Sequence, residues 1–230
     1  MGVKKKNKVT EKIKVIRSSI TKYRKPLYVS NTPHMDPPEI EKLSALMKDA
    51  KTYIEYGCGG STKLATNYVD TIVSVENDGR FCNALKQSFA NDDKGKKIII
   101  NHVSLGPSGK WGHPVFTFNT PAYKKRRDEY VSVLWDKLRA ESGDNVQPDL
   151  ILIDGRFRVA CALYSLMQLP QESETIFFFH DFNTRPVHHG LKEYVDIIDE
   201  VNSALIFKKD PNISQAKLEE GFKKMGLNWR

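Results

Sequence analysis

Cysteine is scarce in this 230-residue chain: only Cys58, Cys82 and Cys161 occur. The number is odd, the spacing is wide, and neither a CxxC pair nor a paired-histidine pattern accompanies them, so neither a disulfide framework nor a zinc site is suggested. Long apolar runs are also missing. The longest candidates, Leu150 to Ile153 and Ile176 to Phe179, fall far short of the roughly 20 residues that cross a bilayer. The opening MGVKKKNKVTEK is positively charged but lacks the apolar segment of about 7 to 15 residues that a secretory signal needs. Gly2 is not followed by the hydroxyl residue a myristoylation motif requires at position six, where Lys6 stands. These absences give the expectation of a cytoplasmic protein with reduced thiols and no membrane span. What is present is ordinary globular material: 40% hydrophobic and 28% charged residues, enough for one well-buried core. The 36 Lys and Arg exceed the 28 Asp and Glu, giving +8. There is no internal repeat, and the only biased segment is the cluster Lys4 to Lys6.

From Thr52 onward, short β-rich runs alternate with segments of helical period. Strands are expected at 52–55, 71–76, 97–103, 149–154, 175–180 and 204–207, and helices at 61–68, 79–90, 123–139, 157–169, 187–199 and 214–225. This alternation predicts a doubly wound α/β architecture, a mostly parallel sheet of six to seven strands with helices on both faces and right-handed crossovers. Residues 1–50 read as a basic arm and a bracing helix that opens around Pro38, and 51–230 as the main domain. The segment DPPE, Asp36 to Glu39, is a helix start with prolines in its first turn. The longest irregular connection, Ser104 to Pro121, contains LGPSGKWGHP and is expected to cover a site.

The strongest motif is YIEYGCGGST, Tyr53 to Thr62. A strand ends at an acid and runs into a glycine-rich turn, after which Ser61 or Thr62 can cap a helix. A phosphate loop of form GxxxxGK[ST] does not fit, because Leu64 follows Lys63 and the glycine spacing differs. A dinucleotide loop of form GxGxxG fits partially, with Thr62 at the third glycine position. Glu55 would repel a pyrophosphate and suits a cationic amino group. Glu76, at the end of the second strand, stands where an acid accepts hydrogen bonds from ribose hydroxyls. Together these residues resemble the class I S-adenosylmethionine-dependent methyltransferases, whose first motif reads ExGxGxS and whose fold is Rossmann-like. The resemblance implies cofactor contacts from Glu55, Tyr56, Gly57, Gly59, Ser61, Thr62, Glu76, Asn77, Ser104 and Asp154. The chain departs from the family at Ser104, where many members carry an acid.

In open α/β sheets, ligands bind outside the carboxyl ends of the strands. The tips LILIDGRFR and FFFHDFN therefore supply the candidate catalytic residues Asp154, Arg156, His180 and Asp181. Asp154, His180 or Asp181 suits the role of base for the acceptor proton. Asp154, Asp181 and Asn183 form an oxygen-rich set compatible with magnesium, resembling the strand-tip acids of catechol-type or macrolide-sugar-type methyltransferases. Arg156 and Arg158 suit an acidic or nucleotide-linked sugar, or equally ion pairs within the protein. The stretch from His34 to HDF, with DGRFRVACA its most specific piece, resembles small methyltransferases of bacteria and large DNA viruses found among glycan-building genes. That resemblance implies a sugar hydroxyl as acceptor.

Other features keep different readings open. Trp111 can close over a cofactor, stack on a sugar ring, or anchor its loop. Phe157 can pack on adenine or belong to the core. The run YKKRRDEY, Tyr123 to Tyr130, places four cations where a helix begins, an unfavourable position that suggests an anionic partner. With the basic arm it supports a second reading, a nucleic-acid methyltransferase. A third is a non-catalytic binding protein with the same fold.

Overall fold

The computed structural model describes residues 27–90, 94–115 and 120–229; the basic arm, with Gly2 and Lys4 to Lys6, lies outside them. The elements follow in the order α1 (Pro37–Lys48), β1 (Thr52–Tyr56), α2 (Gly60–Ala65), β2 (Thr71–Glu76), α3 (Gly79–Phe89), β3 (Lys97–His102), α4 (Pro121–Ser142), β4 (Leu150–Ile153), α5 (Arg158–Gln168), β5 (Ile176–Phe179), β6 (Val195–Val201), β7 (Ala204–Lys209) and α6 (Gln215–Met225). Short 3-10 segments lie at Lys110–Gly112 and Pro186–Tyr194.

One seven-stranded sheet carries the order β3-β2-β1-β4-β5-β7-β6. The first five strands are parallel, and β7 runs antiparallel to both β5 and β6. Parallel strands must be covered on both faces, and the side chains divide accordingly. Ile54, Tyr56, Val75, Ile151, Ile153, Phe177 and Phe179 pack with Tyr130, Leu134, Trp135 and Leu163 on one face. Tyr53, Ile72, Leu150, Leu152 and Phe178 pack with Leu43 and Met47 of α1 on the other. The expected six-to-seven-stranded, doubly wound α/β architecture is the one observed.

One expected helix is corrected. Residues 187–199 form a 3-10 segment ending at Tyr194, followed by the edge strand β6. Val195, Ile197, Ile198 and Val201 match helical spacing because a bulge between Ile197 and Asp199 breaks the strand's alternation. The hairpin that pairs β6 with β7 turns on Asn202 and Ser203, with Asn202 left-handed at φ 49°, a conformation asparagine tolerates well.

The helix beginning at DPPE forms as expected. The Asp36 amide donates to Glu39 Oε2 at 3.0 Å, one half of the reciprocal cap that starts a helix. Before it, the segment from Leu27 lies over the turn after β1: Lys63 Nζ donates to Asn31 Oδ1 at 3.1 Å, and a Cβ on Gly60 would come within 2.0 Å of the Thr32 carbonyl oxygen.

Candidate active site

The turn after β1 is built from below. Glu55 is fully buried, and its carboxylate accepts hydrogen bonds from Tyr53 Oη at 2.8 Å, Ser61 Oγ at 2.7 Å, Ser74 Oγ at 2.6 Å and Thr62 Oγ1. Burial pushes its pKa up, and the four hydroxyl donors work against that shift. With its acceptor directions taken by hydroxyls, the carboxylate braces the loop from beneath. This corrects the expectation that it faces a ligand's amino group. Ser61 and Thr62 likewise turn toward Glu55, and Thr62 Oγ1 also accepts from the Gly59 amide at 2.9 Å. Tyr56 points to the opposite face, its Oη donating to the Val131 carbonyl at 2.8 Å, so its side chain belongs to the core and not to a ligand site. The glycines divide by role. Gly57 has φ +91° and its Cβ position lies 2.8 Å from the Gly155 backbone, so the β1 and β4 loops touch there. Gly57 and Gly60 are thus required by backbone packing, whereas Gly59 has ordinary room.

Glu76 closes β2. Its Oε1 accepts from the amides of Asn77 at 2.8 Å and Asp78 at 2.7 Å. Burial raises its pKa to about 7, opposed by these amides and by the Arg156 charge. Over this tip lies the loop after β3. Asn77 Nδ2 donates to the Gly112 carbonyl at 2.9 Å, and Arg156 Nη2 to the Trp111 carbonyl at 2.7 Å. Asn77 therefore latches this loop. Trp111 is 59% exposed, left-handed at φ 59°, and meets His34 edge-on with ring centroids 5.0 Å apart. Ser104 is exposed, and its Oγ accepts from the Gly106 amide at 3.3 Å. Phe157 is buried beside Tyr123 and Tyr130, which settles it as core.

The tips of β4 and β5 converge on His180. Its Nδ1 lies 2.9 Å from Asp154 Oδ1, while Nε2 lies 3.4 Å from Glu39 Oε2 and 3.9 Å from Asp181 Oδ1. Burial alone would lower the His180 pKa, but the Asp154 hydrogen bond and charge prevail and raise it. Burial would raise Asp154, yet Arg158 and His180 hold it below the usual carboxylate range. Arg158 is buried and spends its donors inside the protein: Nε to the Gly155 carbonyl at 3.2 Å, Nη2 to the Asp154 carbonyl at 3.1 Å and to Asp154 Oδ1 at 2.8 Å, and Nη1 to the His180 carbonyl. It clamps the two tips together and is not a ligand for an acceptor. Asp181 takes a left-handed backbone at φ 59°, which turns the chain sharply at the β5 tip, and is paired with Arg185.

Glu39 is the residue that sequence reasoning missed. It is 1% exposed, and Oε1 accepts from the Ser203 amide at 2.9 Å and Ser203 Oγ at 2.6 Å. Its motif signals only a helix cap. Glu39, His180, Asp181, Thr184 and Ser203 line a cavity of about 430 Å³ with Pro33, His34, Met35 and Asp36.

The magnesium expectation is corrected. Asn183 turns away, its Nδ2 donating to Glu200 Oε2 at 3.0 Å and to the Asn202 carbonyl at 3.1 Å. Asp154, His180 and Asp181 do offer ligand atoms within 4.8 Å of one another. However, Arg158 pairs with both carboxylates, at 2.8 and 3.4 Å, and Arg185 with Asp181. The guanidinium charges already occupy the place of a hard cation that prefers an all-oxygen shell, so these residues do not fit magnesium. The three cysteines are buried and unpaired, and no described helix is long and apolar enough to cross a membrane.

No protein-family model matches the chain, and no curated protein does. Among solved structures, it is similar to a methyltransferase-like protein from Silicibacter pomeroyi, with a TM-score of 0.69 and 26% identity over 87% of this chain and 100% of that one. Looser likenesses, each at 12% identity, are to an O-methyltransferase from Bacillus cereus in complex with SAH (TM-score 0.43, covering 96% of this chain and 80% of that one) and to the N-methyltransferase NodS from Bradyrhizobium japonicum (TM-score 0.39, 76% and 98%).

Proposed function

We propose, from the premise that the chain has the Rossmann-like class I methyltransferase fold, that it is an S-adenosylmethionine-dependent methyltransferase acting on a hydroxyl group, that of a sugar. The observation that carries this reading is His180, held by Asp154 at the edge of a polar cavity and joined to the glycine turn through the contact of Gly57 with Gly155.

The residues suit the cofactor. Glu76 offers a buried acceptor to ribose hydroxyls, the turn at Gly59 lets the backbone approach, and the loop after β3 covers the tip of β2. When bound, S-adenosylmethionine supplies a methyl group on a sulfonium that is itself a good leaving group. The protein's part is then to position the acceptor and take its proton. Asp154 accepts from Nδ1–H of His180, which fixes the tautomer and leaves Nε2 toward the cavity as the base. An acceptor hydroxyl held in the cavity would give its proton to Nε2 as its oxygen takes the methyl group that bound S-adenosylmethionine would supply. Glu39 and Asp181, near Nε2, favour the imidazolium that forms. The products are a methyl ether and S-adenosylhomocysteine.

A cavity of about 430 Å³ admits a single sugar unit. Seven of its lining residues, His34, Asp36, Glu39, His180, Asp181, Thr184 and Ser203, carry hydrogen-bonding side chains beside an apolar surface of similar extent, which suits a sugar with its hydroxyls and its apolar ring face. The test is calorimetric titration with S-adenosylhomocysteine and separately with NAD, followed by transfer of labelled methyl groups to a panel of sugars and nucleotide-linked sugars. Binding of the homocysteine compound and labelling of a sugar by the native chain, abolished in His180→Ala, are expected. Binding of NAD alone would return the turn to the dinucleotide class, and binding of neither would favour a non-catalytic protein.

A second reading has its own observation. Lys124, Lys125 and Arg126 are exposed at the start of α4, and a Cβ on Gly106 would lie 3.1 Å from Arg126 Nη1, so this basic face adjoins the loop over Glu76. An RNA acceptor would use it, and methylation would then fall steeply with salt.

A further inference from the structure

Arg156 carries a nitrogen that no described residue uses. The residue is 6% exposed, and Nη2 is committed to the Trp111 carbonyl, yet Nη1 is buried with no hydrogen-bond partner among the described residues. A buried guanidinium nitrogen left unpaired is costly, and such orphans mark places where a partner is missing. Arg156 holds the Trp111 carbonyl while Asn77, the residue after Glu76, holds the next carbonyl at Gly112, so the guanidinium and the β2 tip underlie the same two residues of the loop. Arg158, Glu76 and Asp154 are the charged groups whose fields reach the guanidinium. Glu76 in turn commits Oε1 to two backbone amides. The pair thus offers one spare cationic donor beside one anionic acceptor, under a loop fastened by Asn77 and Arg156 itself. A group that accepts from the first while donating to the second is a hydroxyl. A carboxylate or phosphate would meet Glu76 with like charge, and an ammonium would meet Arg156 with like charge.

We propose that Arg156 belongs to the cofactor side of the site and not to catalysis, where it completes a hydroxyl-reading pair with Glu76: one ribose hydroxyl of the cofactor accepts from Arg156 Nη1 and donates to Glu76. This rests on the adenosylmethionine reading above. It explains why Arg158, two residues on, has all its donors tied within the protein while Arg156 keeps one spare. It also links the nucleoside to the loop, since the same guanidinium holds Trp111.

The test is calorimetric titration of the full chain with S-adenosylhomocysteine and with its 2′-deoxy and 3′-deoxy analogues, for the native protein and for Arg156→Met and Arg156→Lys. The native chain is expected to bind one deoxy analogue about ten- to a hundredfold more weakly than the parent, the range for hydrogen bonds to charged groups. In Arg156→Met the parent should weaken by a similar factor and the discrimination should fall about tenfold below its native value, to what Glu76 alone supplies, with Arg156→Lys intermediate. Equal binding of parent and both analogues by the native chain overturns the inference without any variant. Discrimination as large in Arg156→Met as in the native chain overturns it too, since Glu76 would then read the hydroxyl alone. If the native chain binds neither parent nor analogue, the adenosylmethionine reading fails and takes this inference with it.

Discussion

The two halves of the candidate site are assembled differently. At the tips of β1 and β2, partners are close in the chain: Glu55 is held by Ser61 and Thr62, six and seven residues on, and Glu76 by the next two amides. At the tips of β4 and β5, Glu39 meets Ser203 across 164 positions of sequence, and His180 meets Asp154 across 26. The β1–β2 half, to which the proposal assigns the nucleotide, is a local motif with its supports built in. The β4–β5 half, to which it assigns the acceptor, exists only once α1 and the β6–β7 hairpin have been brought to the end of the sheet. A motif can be carried from protein to protein unchanged, while an assembled pocket is free to vary its acceptor.

The largest expected effect breaks the acceptor half alone. His180→Ala should lower methyl transfer by about a hundred- to ten-thousandfold, with S-adenosylhomocysteine affinity changed less than about twofold on calorimetry. A parallel loss of affinity would show that the halves are not separable. In the native chain, turnover should rise with pH through the His180 pKa, which lies above 6.5, because only the neutral imidazole accepts the proton. The same shift means that the His180–Asp154 contact stabilises the fold fully below about 6.5 and that this contribution is lost as pH climbs through the folded pKa.

Next comes a contrast between the two acids of the nucleotide half. Glu55→Ala strands four buried hydroxyls and should destabilise the fold by about 3 kcal/mol or more, seen as a lowered melting temperature. Glu76→Ala strands only two amides, so it should lower the melting temperature less than Glu55→Ala does, and it should weaken S-adenosylhomocysteine about tenfold or more. The reverse pattern would exchange their roles.

A smaller effect follows from Glu76 itself. Its pKa of about 7 lies above the ordinary 4.5, so the ligand-free fold loses stability as pH rises between those values. Ribose hydroxyls that donate to the carboxylate favour its charged form. Cofactor affinity should therefore weaken below about pH 7, approaching tenfold per unit, and Glu76→Gln should flatten the profile. The smallest expected effect is none: a chelator should leave turnover unaltered, because arginines fill the place of a cation. Loss of turnover restored by magnesium would show that Arg158 moves aside.

Much of the nucleotide half was legible because its signals are local. Glycines that must pack against backbone at Gly57 and Gly60, an acid at each strand end, and the alternation of strand and helix leave marks at fixed spacing. Even there the burden shifted: Glu55 was placed correctly at the strand tip but supports the loop from beneath, since only the fold shows that four hydroxyls surround it. In the acceptor half, Asp154, His180 and Asp181 could be named because strand tips are the usual place for such groups. Asn183 misled, since its neighbours Glu200 and Asn202 sit on a hairpin whose first strand read as a helix. Glu39 carries only the mark of a helix cap, and nothing in DPPE distinguishes a capping glutamate from one that also approaches a histidine in the distant β5 tip.

The sequence by itself determined the doubly wound sheet, the turn after β1 and the acid at Glu76, since periodicity, glycine geometry and strand-end position are set by residues near one another. Only the tertiary structure decided that β6 is a strand, that Arg158 is a clamp while Arg156 keeps a free donor, and that His180 lies between Asp154 and Glu39. Each of these depends on which distant groups satisfy a polar atom once water is excluded, and that pairing is fixed by packing, not by spacing along the chain.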